Sequence, residues 1–328
     1  MYPSGARVWW RGAGYRSDMS DRPVDPLPLA LGQDSLDRRA DLRRAGWEAL
    51  PPTRRLVLLS SEGEVAVHRG EDRSALLATP GATEAASSSA DLFLGLDEQG
   101  VAVCGRVVPV ESGDLPEGAQ WAGLRSVGMR LPVADRGIVV ELLALANWHR
   151  THVRCPRCGT RTEVAGLGWW RTCPQDGSEH YPRTDPAVIA LLVDAEGNAL
   201  LGRQTIWPEG AFSTLAGFVE PGESAEAAVL REFGEEVALR PSAITYAGSQ
   251  PWPFPGSLML GFRASIDAVR PEPTVDGEEI AEARWLSRAE LPAAAEDRSV
   301  RLPGRLSIAH HLIRSWFGAD LPDAWCRW

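Results

Sequence analysis

The sequence predicts an α+β protein laid out in three successive regions, and three observations predict it. Short stretches with apolar residues at every second position fill residues 55–108, three cysteines crowd into residues 155–173, and strand-like and helix-like spacings alternate from Pro186 onward. Apolar residues with period two mark half-buried strands, and recurrence at three and four residues marks a helix packed on a sheet. A chain of 328 residues accommodates two domains with a small module between them. With 44% hydrophobic and 24% charged residues it is neither collagen-like nor wholly disordered. A net charge of −10 argues against strong non-specific binding to nucleic acid, which needs a surplus of Lys and Arg, though one local basic groove is compatible with it.

The first region is expected over residues 1–150. Residues 1–20 lack the apolar core of a secretory signal and read as a disordered tail. No apolar run in the chain reaches the ~18 residues of a membrane span, so a cytoplasmic protein without a membrane partner is expected. Strands are expected at Arg55–Ser60, Gly63–His68, Ala90–Leu96 and Val101–Val108, forming a small, mostly antiparallel sheet, with Pro80–Ala90 as a loop. Ile138, Leu142, Leu145 and Trp148 place a helix over 133–150, with Asp135 as its N-cap. This region contains no catalytic motif, and the chain shows no internal repeat.

The middle module, residues 151–183, is poor in aliphatic residues. Cys155-Pro-Arg-Cys158 and Cys173-Pro-Gln-Asp176 form two knuckle-like turns that can grip one zinc ion tetrahedrally. The fourth place is a carboxylate, a legitimate but harder zinc ligand, and Glu179 and His180 are nearby substitutes. The alternative is a ribbon that has lost its metal and keeps buried thiols. An odd total of five cysteines in a chain of this kind argues against a disulfide framework.

The last region, residues 184–328, opens with strands Ala187–Val193 and Ala199–Gln204 joined by the turn Asp194–Asn198, and ends with a helix over Ser307–Phe317. Between them Gly217 and Glu223 precede Arg231-Glu232-Phe-Gly-Glu235-Glu236. On a helix starting near Ser224, Glu232, Glu235 and Glu236 fall within about 100° of arc. Ala227, Leu230, Phe233, Gly234 and Val237 are expected on the opposite, packed side. Three like charges on one face repel, and hard divalent cations with oxygen ligands neutralise such a cluster. Arg231 can pair with a loop carboxylate. The bland reading, a solvated acidic face, does not account for the Gly and Glu set in register ahead of the helix.

Residues 217–239 resemble the Nudix box, Gly-x5-Glu-x7-Arg-Glu-U-x-Glu-Glu-x-Gly-U with U a bulky apolar residue, and depart from it at Ala238, where the pattern has Gly. The resemblance implies a Nudix α/β/α sandwich and hydrolysis of a nucleoside diphosphate linked to another moiety. By position, Glu232, Glu235 and Glu236 hold Mg²⁺ or Mn²⁺, Glu223 supports the loop through Arg231, and activated water attacks one phosphorus.

Downstream, Ser249-Gln250-Pro251-Trp252-Pro253-Phe254-Pro255-Gly256-Ser257 is stiff and aromatic, suited to hold a ring with little entropy lost. Standing alone it also reads as a proline-rich sheet edge. It resembles the signature of the NADH pyrophosphatase subfamily, in which a zinc ribbon precedes the Nudix domain. That resemblance spans about residues 120–315. It implies conversion of NADH to NMNH and AMP, cleavage of NAD⁺, removal of NAD caps from RNA 5′ ends, one structural zinc, and a homodimer whose sites are completed by the partner. By position, Gln250 to Ser257, Tyr181, Ala309 and Arg125 contact substrate, and Glu279 adds a ligand for the catalytic metal. A ribbon Glu of some relatives is Gly168 here. The thirteen Trp residues fit stacking platforms, cores or such an interface. Rival readings are a Nudix hydrolase of ADP-ribose or a dinucleoside polyphosphate, and a non-catalytic zinc-ribbon protein that binds nucleic acid.

Overall fold

The computed structural model describes residues 27–32, 36–70, 74–76, 78–80, 91–110, 115 and 118–326. The expected tail at 1–20, and the expected loop beyond Pro80, lie outside these residues. Strands β1 (Arg54–Ser60), β2 (Glu64–Arg69), β3 (Ser74–Leu76), β4 (Ala78–Pro80), β5 (Asp91–Leu96), β6 (Ala102–Val108) and β7 (Ala119–Gly123) form one sheet. Its pairings are antiparallel except for parallel β1–β6. Alternate apolar residues of these strands, such as Val57, Leu59, Val65 and Val67, meet Ile138, Leu142 and Leu145 in one core.

Three helices accompany this sheet: α1 (Ala40–Ala45), α2 (Leu124–Val127) and α3 (Val133–Thr151). The N-cap of α3 is Pro132, not Asp135, and no side chain caps it. Asp135 instead lies in the first turn, where it pairs with Arg55 at 3.0 Å. An acidic residue there favours the helix dipole as a cap does, so the sequence signal is the same for both places.

Strands β8 (Glu163–Ala165), β9 (Trp170–Thr172) and β10 (Glu179–His180) make a small antiparallel sheet. The last region holds β11 (Asp185–Val193), β12 (Ala199–Gln204), β13 (Leu215–Phe218), α4 (Ala225–Val237), β14 (Ala243–Trp252), β15 (Ser257–Ser265), β16 (Ile280–Leu286), α5 (Glu290–Glu296) and α6 (Ile308–Phe317). Side chains of β11 alternate between two layers. Val188, Ala190 and Leu192 pack with Val229 and Phe233 of α4, while Ile189 and Leu191 pack with Ile308 and Leu312 of α6. The result is a helix–sheet–helix sandwich.

The sequence displays no internal repeat, but the strand topology contains one. The strand path β5-β6-β1-β2-β7 of the first sheet reappears as β14-β15-β11-β12-β16 in the last, with β4 on β1 matched by β13 on β11. The senses agree pair by pair, including the one parallel contact, β1–β6 and β11–β15. Backbone hydrogen bonds carry strand pairing, so the topology persists where the side chains have diverged.

Candidate active site

The acidic helix starts cleanly. Ser224 is its N-cap, and its hydroxyl accepts the amide of Ala227 at 3.1 Å. Arg231 then gathers the whole loop. Its guanidinium holds Glu223 through two parallel bonds, Nε–Oε1 at 2.9 Å and Nη2–Oε2 at 3.0 Å, and donates to the Phe218 carbonyl at 2.8 Å. Nη1 reaches Glu232 at 2.7 Å and Glu235 at 3.0 Å. Such fork-to-carboxylate pairs fix geometry as well as charge. The Arg231 charge holds the Glu223 carboxyl below its ordinary range.

The packed face of α4 differs from the expected one. Ala228, Val229, Phe233 and Val237 are buried together with Glu232 and Glu236, while Ala227 and Gly234 are exposed. The helix is rotated so that Glu232 lies over β13. A Cβ on Gly217 would stand 1.9 Å from the Glu232 carboxylate, so only glycine fits there. Ala238, where the box has Gly, takes the left-handed conformation at φ 54°, which favours glycine.

Glu236 is 2% exposed, and both its carboxylate oxygens lack a hydrogen-bond partner among the described residues. Burial, then the charges of Glu232, Glu279, Asp276 and Glu235, push its carboxyl up to about 9. Burial likewise raises Glu232. Glu235 stays exposed, as do Glu279 and Asp276 on the loop before β16. An orphaned buried carboxylate facing further carboxylates from a helix and a loop is a donor set that fits a hard divalent cation. Glu232, Glu235, Glu236 and Glu279 could hold Mg²⁺ or Mn²⁺ there.

Glu236 opens on a cavity of about 380 Å³ whose wall also includes Arg125 of α2, Ala216, Trp252 and Met259. Four further lining residues, Gln204, Trp207, Thr214 and Ser307, went unmarked in the sequence, because they sit in ordinary turns and strands without a motif. The Pro251–Pro255 segment closes the β14–β15 hairpin, with Trp252 opposite Ser257, and β14 is an edge strand, where Pro is tolerated. Trp252 and Phe254 meet edge to face at 5.0 Å. The Arg125 guanidinium lies 4.4 Å from the Phe254 ring and 5.4 Å from that of Trp252. Gln250 is fully buried and donates to the Leu306 carbonyl at 3.0 Å. Pro253 is buried, and Gly256 accepts the Asp185 amide at 3.0 Å. Ala309 is 1% exposed within the α6 core. Tyr181 is 54% exposed, is bonded to Glu179, and does not line this cavity.

In the middle module the ligand atoms of Cys155, Cys158, Cys173 and Asp176 all lie within 4.8 Å of one another. The two knuckles are near copies. Gly159 donates to the Cys155 carbonyl and Gly177 to that of Cys173, each at 2.9 Å, and both glycines have positive φ, 75° and 69°. Glu179 and His180 are turned to Tyr181 and Ser178 instead. The Ser178 hydroxyl and amide hold the Asp176 carboxyl below its ordinary range, ready to bind as a carboxylate. Three thiols and a carboxylate so grouped suit tetrahedral zinc.

Three family models match the chain in succession. The NADH pyrophosphatase-like rudimentary NUDIX domain matches residues 50–148, the NADH pyrophosphatase zinc ribbon domain 150–181, and the NUDIX domain 183–303. The NAD-capped RNA hydrolase NudC of Mycobacterium bovis (strain BCG) is 40% identical over 309 residues, covering 90% of this chain and 96% of that protein. This chain belongs to the Nudix family. A second Nudix relative, NudC of Mycobacterium tuberculosis, matches with the same identity and coverage. The human NAD-capped RNA hydrolase NUDT12 is 38% identical over 200 residues, covering 57% of this chain and 43% of that protein. The Nudix chain has no helix among its described residues long and apolar enough to cross a membrane.

Proposed function

We propose that this Nudix hydrolase cleaves the pyrophosphate bond of NADH and NAD⁺, giving NMNH or NMN and AMP, and that it removes NAD caps from RNA 5′ ends. One observation carries the reading. Glu236, buried and without a hydrogen-bond partner among the described residues, opens on the same cavity as Trp252 and Arg125, so one carboxylate of the cluster and an aromatic wall share one volume. A dinucleotide has the matching parts, a pyrophosphate and two flat rings. The names of the NudC and NUDT12 relatives support the same substrate class.

Glu232, Glu235, Glu236 and Glu279 are assigned to the divalent cations, and Cys155, Cys158, Cys173 and Asp176 to one structural zinc. Bound there, Mg²⁺ or Mn²⁺ supplies neutralising charge for the pyrophosphate and for oxygen charge that develops as the P–O bond breaks. The protein's own part is placement. Arg231 locks Glu223 and the Phe218 carbonyl, which fixes the loop ahead of α4. Arg125, Trp252 and Phe254 hold a ring, and the remaining residues from Gln250 to Ser257 shape that wall. Water adds to one phosphorus and the bridging oxygen leaves with a second phosphate, so atoms balance as NADH + H₂O → NMNH + AMP.

The division into residues 1–150, 151–183 and 184–328, a homodimer in which the partner's copy of an exposed side chain such as Tyr181 completes the site, and a cytoplasmic location belong to the same proposal. The test is product analysis with NADH, ADP-ribose and diadenosine polyphosphates in Mg²⁺ or Mn²⁺. NMNH and AMP, formed from NADH faster than the other compounds turn over, support the reading. Intact NADH beside hydrolysed ADP-ribose overturns it.

A further inference from the structure

We infer that Asn147, in the α3 helix of the first region, is a positioning residue for the aromatic wall of the substrate cavity. The inference rests on the proposed dinucleotide site and extends it to a residue outside the Nudix domain.

The wall has an unusual backbone problem. Pro251, Pro253 and Pro255 have no amide hydrogen, so among residues 251–255 only Trp252 and Phe254 can donate. The Phe254 amide is already used on the Trp252 carbonyl at 2.8 Å. No amide of this segment is left for the carbonyls on either side of Phe254, so a side chain that bonds both would hold the segment in one place rather than leave it to water. Asn147 is that side chain. Its Nδ2 donates to the Pro253 carbonyl and to the Pro255 carbonyl, each at 3.0 Å. Both amide hydrogens are used, one on the residue before Phe254 and one on the residue after it. Arg150 reaches Asn147 Oδ1 only at 3.4 Å and in an exposed place, a long and weak contact that plays no part in holding the wall.

No other common side chain of this length does the same work. Aspartate offers no hydrogen, and serine or threonine offers one. The anchor is rigid, because the neighbouring Trp148 is 4% exposed in the core of the first region. Trp252 and Phe254 pack against that region's core from the other side. Asn147 thus fixes the backbone, Arg125 lies over both rings, and together they set where Trp252 meets the cavity. This gives the first region a role in catalysis without any group that touches the phosphates.

The test is steady-state kinetics on NADH with the full-length protein. Asn147→Ala is expected to raise KM about tenfold with kcat within about twofold, as loss of binding shared by ground and transition states does. Asn147→Asp is expected to be at least as damaging, since it turns carboxylate oxygens onto two carbonyls. Arg150→Ala should leave KM within about twofold, because it removes only the contact to Oδ1. Dinucleotide binding by calorimetry without added Mg²⁺ or Mn²⁺ gives a second readout and should weaken by the same factor in Asn147→Ala. Binding without hydrolysis by the wild type would sink the functional reading and leave this one standing. Unchanged KM and affinity in Asn147→Ala would overturn the inference. So would a loss of kcat and melting temperature in proportion, which is the mark of a general structural role.

Discussion

The two large sheets of this molecule follow one plan, apart from the extra strand β3 on β2 in the first, and differ most in what joins their strands. In the last region the span between β13 and β14, residues 219–242, contains the 13-residue helix α4 with its carboxylates. In the first region the equivalent span between β4 and β5, residues 81–90, is ten residues long against twenty-four, and its one acidic residue is Glu84. The buried acid of the first sheet is Asp91, held by Arg106 through two bonds, Nε–Oδ1 at 2.5 Å and Nη2–Oδ2 at 2.8 Å. In the last region Asp194 is likewise buried and bonded, by Asn198 and the Arg270 amide, whereas Glu236 on α4 is buried with no partner among the described residues. A satisfied carboxylate holds a structure together, and an unsatisfied one is available for a cation. The repeated topology thus separates a scaffold from a site, and Asn147 and Arg125 are where the scaffold reaches across.

Removing one carboxylate from α4 is the strongest way to break this contrast. Glu235→Gln should lower hydrolysis by more than about 100-fold, since even partners one step removed from a metal matter 10–100-fold. Its melting temperature should stay near the wild type, because Glu235 is exposed. The matching change in the scaffold should do the reverse. Asp91→Asn leaves the partly exposed Arg106 without its counter-charge and should lower stability by roughly 1–3 kcal/mol, measured by urea unfolding, with kcat unaltered. A loss of turnover at unchanged stability in that variant would mean that the first sheet is more than a scaffold. The smallest effect is expected at the exit of α4. Ala238→Gly relieves the left-handed φ of 54° and should stabilise the protein by about 0.5–1 kcal/mol, net of the greater freedom glycine has in the unfolded chain. A destabilised Ala238→Gly would show that the helix exit is not strained.

Much of the site was legible because its signals are local. The Gly217–Leu239 pattern placed α4 with its start near Ser224 and the Arg231–Glu223 pair, and the knuckle spacing placed Asp176 beside three thiols. The four strands expected in the first region, β1, β2, β5 and β6, begin within one residue of their expected starts for the same reason, whereas the short β3 and β4 and the strand β7 were not anticipated. What was hidden depends on pairing between distant segments. The duplicated sheet order is written in backbone hydrogen bonds, which no residue pattern displays. Gln204, Trp207 and Thr214 become cavity wall only when β12 and β13 meet β16 and α6. Asn147 looked like one polar residue on an amphipathic helix, because the carbonyls it serves are more than 100 positions away. Helical arc arithmetic grouped the three glutamates correctly but could not tell that Glu232 and Glu236 are buried, Glu232 over Gly217, while Glu235 stays out.

The central claim is that the carboxylates of α4 hold divalent cations against a pyrophosphate. Phosphorus-31 NMR of NADH incubated with Mg²⁺ tests it most directly, run side by side on the wild type and Glu235→Gln. The account predicts that the pyrophosphate resonances give way to two phosphomonoester resonances with the wild type and persist with the variant. Equal conversion by both proteins, or an intact pyrophosphate with the wild type, would contradict it.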